Sequence, residues 1–429
     1  MNMTVSRSCL HGSVCVPGSK SHTIRAVLLA AMAEGTTVIH NPLPSLDGKS
    51  ALAAAETFGA RTSIDGNTWT VEGRGRDLAV PRNYLDCGNS GSVAYFATPM
   101  AALVDGYTFV TGDAQIRRRP IHETVLAINE LGGFAAHSIP GSDSCPVVVH
   151  GVMKGGQAHF GGKLSQIISG FMMAAPLLEQ DTELLIEDIR ETPYLQITID
   201  WMKRFGVELE HAEDFSSFQI RGKRFYRALE TTIPSDWSAV AFPLIAGLIT
   251  DSELVIDAVD FNDSQGDKAV VDHLIAMGAD LTKDVEGHRL LVRGGRKLRS
   301  GLTIDMKNIP DALPALSVAA AYAEGDTTFT GLAHVRLKET DRVAVMKEEL
   351  EKIGVTVEIG PDSMVVHGGC RMHAAQVESH DDHRVAMAML VCGLGIDGET
   401  VINGAECAAV SFPSFFEVME KAGAKFARG

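Results

Sequence analysis

The sequence lacks a membrane-length apolar run and any regular arrangement of cysteines. No apolar stretch reaches the roughly 18–20 residues that a membrane helix needs, and the opening MNMTVSRSCLHG contains no signal-peptide core. The 7 cysteines are scattered and form neither a CxxC pair nor a Cys/His spacing typical of zinc. We therefore expect reduced thiols in a cytoplasmic protein, with no membrane association and no metal site.

Positive charge is also scarce. Lys and Arg number 38 against 54 Asp and Glu, which gives a formal net charge of −16. This balance argues against nucleic acid or an anionic membrane as a partner, so any anion site must be a local concentration of Lys and Arg. With 429 residues, 45% of them hydrophobic and 21% charged, the chain is typical of a globular protein of two or three domains.

One local concentration of polar and basic residues is VPGSKSHTIR, at residues 16–25. It stands between a short apolar stretch and the helix-like segment AVLLAAMAEG. Free N–H groups and the positive end of the helix dipole meet at a helix start, so the pattern suggests an anion site. The Walker A pattern GxxxxGK[ST] is absent, and on this stretch alone a polar helix cap is an equally good interpretation.

Two series of turn residues repeat along the chain with one period. In the first, an amphipathic helix ends at a glycine that precedes a strand-like stretch, which is typical of a left-handed helix cap. Its members are Gly59, Gly132, Gly206, Gly278, Gly354 and Gly423. In the second, an Ala/Leu-rich helix joins a β-branched strand at Gly35, Gly106, Asp181, Asp251, Gly325 and Gly398. Both series predict six copies of a unit of about 73 residues.

Each predicted unit is strand–helix–strand–helix–strand. The Ala/Leu-rich helices are apolar almost all round, which predicts that they are buried while sheets lie outside them. The fold class is therefore α/β, with two inside-out domains of three units each. A cleft between two such domains is a common place for a ligand site.

Polar residues interrupt this pattern at a few unit starts and linkers. Those of interest are Lys20, Ser21, Arg25, Asp86, Asn89, Gly91, Ser92, Arg117, Arg118, Arg119, Ser165, Gln166, Asp311, Lys338, Glu339, Arg342, His383 and Arg384. Arg and Lys in these loops would suit an anionic ligand, and a carboxylate such as Asp311 could act as a general base. Structural interpretations remain open: a solvated arginine run, a helix cap at Asp311 or a surface ion-pair ladder in KETDR.

Together these motifs resemble the 5-enolpyruvylshikimate-3-phosphate synthase family. The matching segments are VPGSKSHTIRAVLLAAMAEG, GNSG, GDAQIRRRP, SQ before ISGFMMAAPL, IPDALPAL, RLKETDRV, DDHRVAMAM and SFPSFF. They run in order along nearly the whole chain. The sister enzyme that acts on UDP-N-acetylglucosamine shares the architecture, but it typically carries a reactive Cys, whereas RRRP and KETDR favour the shikimate branch.

The resemblance implies a discontinuous domain I, residues 1–18 plus 235–429, and a domain II, residues 19–234. It implies transfer of the enolpyruvyl group from phosphoenolpyruvate to the 5-hydroxyl of shikimate 3-phosphate, with loss of phosphate from a tetrahedral ketal. Small-molecule substrates, no cofactor and a monomer follow as expectations.

The resemblance also assigns roles to single residues. Phosphoenolpyruvate would contact Lys20, Gly91, Arg119, Gln166, Arg342 and Arg384. Shikimate 3-phosphate would contact Ser21, Arg25, Ser165, Gln166, Tyr194, Asp311 and Lys338. The catalytic groups would be Asp311 as base, Glu339 or Lys20 as the acid at the methylene carbon, and Lys338 beside the reacting hydroxyl.

Several positions depart from the family pattern, most of them at the acceptor end. Leu164 replaces the first Ser of a Ser-Ser-Gln run, and Glu191 stands where a Ser or Thr is expected three residues before Tyr194. Tyr95 and His334 stand where the family usually has an Arg and an Asn, and Val410 stands where some members carry a Lys and others lack it. Two alternatives therefore remain: a related transferase with a different hydroxyl acceptor, phosphorylated or not, and a non-catalytic ligand-binding protein of the same fold.

Overall fold

The computed structural model describes residues 1–429, which form twelve α-helices and 26 strands. The helices are α1 (Lys20–Ala31), α2 (Leu46–Thr57), α3 (Gly91–Ala101), α4 (His122–Glu130), α5 (Ser165–Ala174), α6 (Thr192–Arg204), α7 (Trp237–Ile249), α8 (Val270–Ala276), α9 (Leu313–Tyr322), α10 (Arg342–Lys352), α11 (His383–Gly393) and α12 (Phe415–Lys421).

The first 16 strands run from the N-terminus to Thr232. They are β1 (Met3–Ser6), β2 (His11–Cys15), β3 (Ala33–Glu34), β4 (Thr36–His40), β5 (Arg61–Asp65), β6 (Thr68–Glu72), β7 (Leu85–Asp86), β8 (Tyr107–Thr111), β9 (Phe134–His137), β10 (Val147–His150), β11 (Gly156–Phe160), β12 (Thr182–Ile186), β13 (Glu210–His211), β14 (Ser217–Ile220), β15 (Tyr226–Arg227) and β16 (Glu230–Thr232).

The other strands follow α7. They are β17 (Glu253–Asp257), β18 (Asp280–Asp284), β19 (Arg289–Arg293), β20 (Thr303–Asp305), β21 (Asp326–Thr330), β22 (Thr356–Ile359), β23 (Ser363–His367), β24 (Gln376–Glu378), β25 (Glu399–Asn403) and β26 (Lys425–Arg428).

The chain divides into two units by its internal contacts. Unit 1 contains Met1–Pro17 together with Pro234–Gly429, and unit 2 contains Gly18–Ile233. The chain therefore passes from one unit to the other after Pro17 and again after Ile233. None of the helices combines the length and the apolarity that crossing a membrane requires.

Six four-stranded sheets, three in each unit, repeat one design. In the sheet β11-β12-β14-β13, the first two strands pair in parallel and the others pair antiparallel. Helix α5 connects the parallel pair, as parallel strands require a crossover, and α6 leads to the hairpin β13–β14. Each repeat therefore contains one strand more than the sequence predicts, because a hairpin of two strands follows its second helix.

Three sheets are completed by strands that lie far away in the chain. In unit 1, β1 lies between β25 and β26, antiparallel to both, and β2 pairs in parallel with β17. In unit 2, β16 pairs in parallel with β4. The N-terminal segment thus supplies strands to two of the sheets of unit 1, and the last strand of the chain pairs with the first.

The first helix of each repeat is buried. Helix α7 is the extreme case, since its residues from Trp237 to Leu248 are all buried. Helices α7, α9 and α11 contact one another in unit 1, and α3 contacts both α1 and α5 in unit 2. The second helices are amphipathic: in α10, Val343, Met346 and Leu350 are buried while most of the acidic residues are not. Each unit is thus built around apolar helices with sheets outside them.

Truncating a side chain of a buried helix should destabilise its unit. Ile245 of α7 is 0% exposed, whereas Ile275 of α8 is 42% exposed. We expect Ile245→Ala to lower the free energy of unfolding by about 2–5 kcal/mol, because it leaves a cavity. The matched Ile275→Ala should change it by less than about 0.5 kcal/mol. Urea unfolding followed by circular dichroism measures both, and equal effects of the two variants would contradict the buried position of α7.

Candidate functional site

Many of the predicted site residues lie at the starts of helices. In unit 2, Lys20, Gly91 and Ser165 are the first residues of α1, α3 and α5. In unit 1, Arg342 and His383 open α10 and α11, and Asp311 lies in the short 3-10 turn Pro310–Ala312 that leads into α9. Helix N-termini offer free N–H groups, so this placement favours anionic ligands in each unit.

Arg342 of unit 1 is a fully buried cation with three carboxylate partners. Its Nε lies 2.7 Å from Asp382 Oδ2, its Nη1 lies 2.7 Å from Asp311 Oδ1, and its Nη2 lies 2.6 Å from Glu339 Oε2. Burial alone would lower the Arg342 pKa, but the three carboxylates raise it well above its ordinary value. Arg342 therefore stays charged, and its segment KETDR is more than a surface ion-pair ladder.

Asp311 is shared between two arginines. Its Oδ1 accepts from Arg342, and its Oδ2 accepts from Arg384 Nη2 at 2.9 Å. Burial would raise the Asp311 pKa, but Arg384, Arg342 and Lys338 outweigh it and hold this pKa well below the usual range. Asp311 is therefore ionised at neutral pH, and the same two arginines make it a weak base. Its contacts with two buried arginines give Asp311 interactions that a helix cap alone would not need.

Two aspartates of unit 1 that received no predicted role belong to this group. Asp382 is fully buried; it accepts from Arg342 and from the backbone N–H of Arg384, so it caps α11. Asp267 is buried, and its Oδ2 accepts from Ser238 Oγ at 2.6 Å. Burial first, and then the charge of Asp311, raises the pKa of Asp267 to about 6. Asp382 is part of the DDHR motif, whereas Asp267 belongs to none of the motifs.

The segment before α10 divides into a structural part and a site part. Arg336 donates to Asp341 at 2.7 Å, and Asp341 in turn accepts from Ala344 N–H and caps α10. Glu339, by contrast, contacts the buried Arg342, and Lys338 lies close enough to Asp311 to lower its pKa. Lys338, Glu339, Arg342 and Arg384 thus surround Asp311 within unit 1.

Lys20 is the first of the predicted site residues in unit 2. Its Nζ lies 3.2 Å from Asp47 Oδ2, and their side chains are only 13% and 6% exposed. Asp47 is the second residue of α2, and the sequence pattern did not single it out. The pair holds a lysine ammonium at the start of α1, within the segment VPGSKSHTIR.

The arginine run at 117–119 separates into different environments. Arg118 is exposed and Arg117 donates to Gly112 O, as expected of side chains that support a loop. Arg119 instead lies against the start of α3, where a Cβ at residue 91 would collide with its Nη1. Gly91 therefore leaves the space that the Arg119 guanidinium occupies.

Arg25 lies inside unit 2, 1% exposed. Its guanidinium donates to Thr198 Oγ1, Ser169 Oγ and the backbone carbonyls of Ser21 and Tyr194, at 2.8–3.2 Å. Burial lowers the pKa of Arg25 to about 9, although Tyr194 and Glu191 raise it in part. Arg25 is therefore still a cation at neutral pH, and it joins α1 to α5 and α6.

Ser165 and Glu191 are in direct contact. The backbone N–H and the hydroxyl of Ser165 both donate to Glu191 Oε2, at 3.1 and 2.6 Å. Both residues are 1% exposed. Gln166 follows in α5, and its Oε1 is buried with no hydrogen-bond donor from the protein. Ser165, which is expected to contact a ligand, therefore already donates its hydrogen bonds to an acidic neighbour.

One further group has side chains suited to a metal ion, namely Glu348, Glu349 and His380. Lys352 Nζ donates to Glu348 and to both carboxylate oxygens of Glu349, at 2.8–3.1 Å. The two carboxylates therefore already have a cationic partner. None of the three residues is among the predicted site residues.

Known proteins match this sequence along nearly its whole length. The family model described as EPSP synthase (3-phosphoshikimate 1-carboxyvinyltransferase) matches residues 5–419. The 3-phosphoshikimate 1-carboxyvinyltransferase of Ruminiclostridium cellulolyticum is 42% identical over 425 residues, 99% of each chain. The protein of that name from Methanocella arvoryzae is 38% identical over 98% of each chain.

Solved structures of related proteins have the same fold as this chain. The EPSP synthase of Acinetobacter baumannii superposes with a TM-score of 0.83 at 28% identity, over 100% of both chains. The enolpyruvyl transferase NikO of Streptomyces tendae, at 18% identity and a TM-score of 0.79, shares the fold over 99% of this chain and 98% of its own. These matches confirm the predicted inside-out α/β fold, and with the full-length relatives they establish that the chain belongs to the EPSP synthase (3-phosphoshikimate 1-carboxyvinyltransferase) family.

Proposed function

We propose that this protein transfers the enolpyruvyl group of phosphoenolpyruvate to the 5-hydroxyl of shikimate 3-phosphate and releases phosphate. It is a transferase of the shikimate pathway, the route to the aromatic amino acids. The observation that carries the assignment is full-length membership of the family, with relatives of that name covering 99% of this chain. The charged residues around Asp311 supply groups that such a reaction needs.

The donor carries a carboxylate and a phosphate, and both units offer cations for them. In unit 2, we assign Lys20, Arg119 and Gln166 to phosphoenolpyruvate, with Gly91 leaving room for Arg119. In unit 1, we assign Arg342 and Arg384. Arginine forks match the oxygens of carboxylate and phosphate, whereas lysine supplies a point charge. Ser21, Arg25, Ser165 and Tyr194 are assigned to the acceptor.

Attack of the acceptor requires a proton to leave its 5-hydroxyl and another to reach the methylene carbon of the donor. We assign the first to Asp311, beside Lys338, and the second to Glu339 or Lys20. The new C–O bond gives a tetrahedral ketal, which loses phosphate from its central carbon and a proton from its methyl group and so re-forms the double bond. Cations near the phosphate and carboxylate stabilise the negative charge in this step.

Donor binding would strengthen Asp311 as a base. In the free protein, Arg342 and Arg384 hold its pKa low. An anion bound by the same guanidinium groups brings negative charge close to Asp311, and like charges raise the pKa of a carboxyl group. The base would then be closest to working strength when the donor is in place.

The activity itself is tested by phosphate release from phosphoenolpyruvate with either shikimate 3-phosphate or shikimate as the acceptor. We expect turnover with shikimate 3-phosphate and one phosphate for each enolpyruvyl product. Turnover with shikimate alone would favour a related transferase with an unphosphorylated acceptor. Turnover with neither would support the non-catalytic alternative and overturn the assignment.

Removing the base should abolish most of the rate. We expect Asp311→Asn to lower kcat by about 10²–10⁴-fold, the usual contribution of a general base. The matched Asp305→Asn changes an exposed aspartate in β20 of the same unit and should leave kcat within about two-fold. Steady-state kinetics with circular dichroism as a folding check measures this. A kcat for Asp311→Asn equal to that of Asp305→Asn would remove Asp311 from the reaction.

Removing the ammonium of Lys20 should weaken donor binding. Lys20→Met keeps the apolar stem and deletes the charge, so we expect kcat/KM for phosphoenolpyruvate to fall about 10–100-fold, as for a lost charge-assisted hydrogen bond. Lys49→Met, on the exposed side of α2, is the control and should be unchanged. The assignment fails if the two variants give the same kcat/KM.

A further inference from the structure

The contact between Ser165 and Glu191 supplies an anion at the start of α5. Helix N-termini with a hydroxyl and free N–H groups bind anions, and at α5 the chain itself provides one. Both donors of Ser165 point to the same carboxylate oxygen of Glu191. Leu164, the residue at the cap position, makes no side-chain cap hydrogen bond. Glu191 thus takes over a helix-capping role that Leu164 cannot perform.

The position of Glu191 is fixed by its backbone as well as by its side chain. Its φ and ψ are 57° and 37°, the left-handed conformation that costs a non-glycine residue about 1–2 kcal/mol. Its carbonyl accepts from the Tyr194 N–H at 2.9 Å, which holds the first turn of α6. A residue keeps such a conformation only where its surroundings over-determine it. The carboxylate is therefore held in place and does not sample solvent as a surface side chain does.

Glu191 also acts on the neighbouring cation. It is one of two groups that raise the pKa of the buried Arg25, so part of the positive charge at this end of unit 2 is already balanced. A second anion there would meet a carboxylate that is 1% exposed and adjacent to the donors it needs. Repulsion between this carboxylate and a second anion beside it disfavours binding of that anion, most strongly where water is excluded.

We propose that Glu191 is an acceptor-specificity residue, whose carboxylate competes with the phosphate of the acceptor for the donors of Ser165 and the charge of Arg25. Since the proposed function places Ser165 at the acceptor end, the inference rests on that function. Glu191 reduces the preference of this chain for a phosphorylated acceptor over its unphosphorylated form.

Calorimetric binding of shikimate 3-phosphate and of shikimate tests the inference without turnover. The key quantity is the ratio of the two Kd values, shikimate over shikimate 3-phosphate. Glu191→Gln keeps the shape of the side chain and an oxygen that accepts from Ser165, so it preserves the cap while removing the charge. We expect this variant to raise the ratio about 10–100-fold, the range of charge-assisted hydrogen bonds. Glu187→Gln changes an exposed glutamate before the same helix and should leave the ratio unchanged.

A second substitution separates competition for Ser165 from a general charge effect. If the phosphate recruits the freed Ser165 hydroxyl, adding Ser165→Ala to Glu191→Gln should reverse much of the gain. In the wild-type background, Ser165→Ala should lower the ratio by a smaller factor than in Glu191→Gln, because Glu191 shares that hydroxyl with the acceptor. Thermal unfolding of each variant checks that helix α5 remains folded.

Three outcomes would overturn the inference: an unchanged ratio in Glu191→Gln, an equal gain in affinity for both acceptors, or no binding of either acceptor to either protein. Failure of the proposed function looks different. In that case shikimate 3-phosphate binds, and the ratio responds to Glu191→Gln, but no phosphate is released from phosphoenolpyruvate by the wild-type protein.

Discussion

Arg342 is a guanidinium with 0% exposure, and the arrangement of unit 1 around it follows from the need to balance that charge. Its three carboxylates come from different elements: Asp311 from the turn before α9, Glu339 from the turn before α10, and Asp382 from the cap of α11. Removing one partner of a buried ion pair leaves an uncompensated charge, which typically costs about 3–5 kcal/mol. The ion network therefore ties three helix starts together, and the same contacts hold Asp311 and Glu339, two of the groups assigned to catalysis, at one guanidinium.

This network also bears on how a general base and anion-binding arginines can share a site. Arginines that bind a donor must be charged, and the carboxylates keep Arg342 charged inside the protein. The reverse effect is that Arg342 and Arg384 weaken Asp311 as a base. A bound anion shifts the balance, because it draws on the same guanidinium groups. Asp267 is a second group whose charge depends on Asp311, because burial and the charge of Asp311 raise the pKa of Asp267 to about 6. In the proposed reaction, base strength and donor binding are thus coupled through charge.

Much of this arrangement can be predicted from the sequence, because turn glycines and apolar helices recur with one period. That repeat predicts the buried helices, and the polar interruptions predict which helix starts carry function. The features that the sequence does not predict depend on contacts between positions that are far apart in the chain. Strands β1, β2 and β16 are paired with partners far along the chain, so no local pattern marks their sheets. Asp47 and Asp267 resemble ordinary helix-start aspartates until Lys20 and Asp311 are brought beside them.

Unit 2 balances its buried cation by a different route. Arg25 is as deeply buried as Arg342, yet its hydrogen bonds go to hydroxyls and carbonyls, which carry no charge. If the counter-charge came only from a bound acceptor, the free protein would hold a buried cation without compensation, which is unfavourable. Glu191 supplies a resident negative charge, which raises the pKa of Arg25 before any ligand binds. The same charge must then disfavour an anionic acceptor, because no position near Arg25 can both stabilise the free protein electrostatically and remain neutral toward a phosphate.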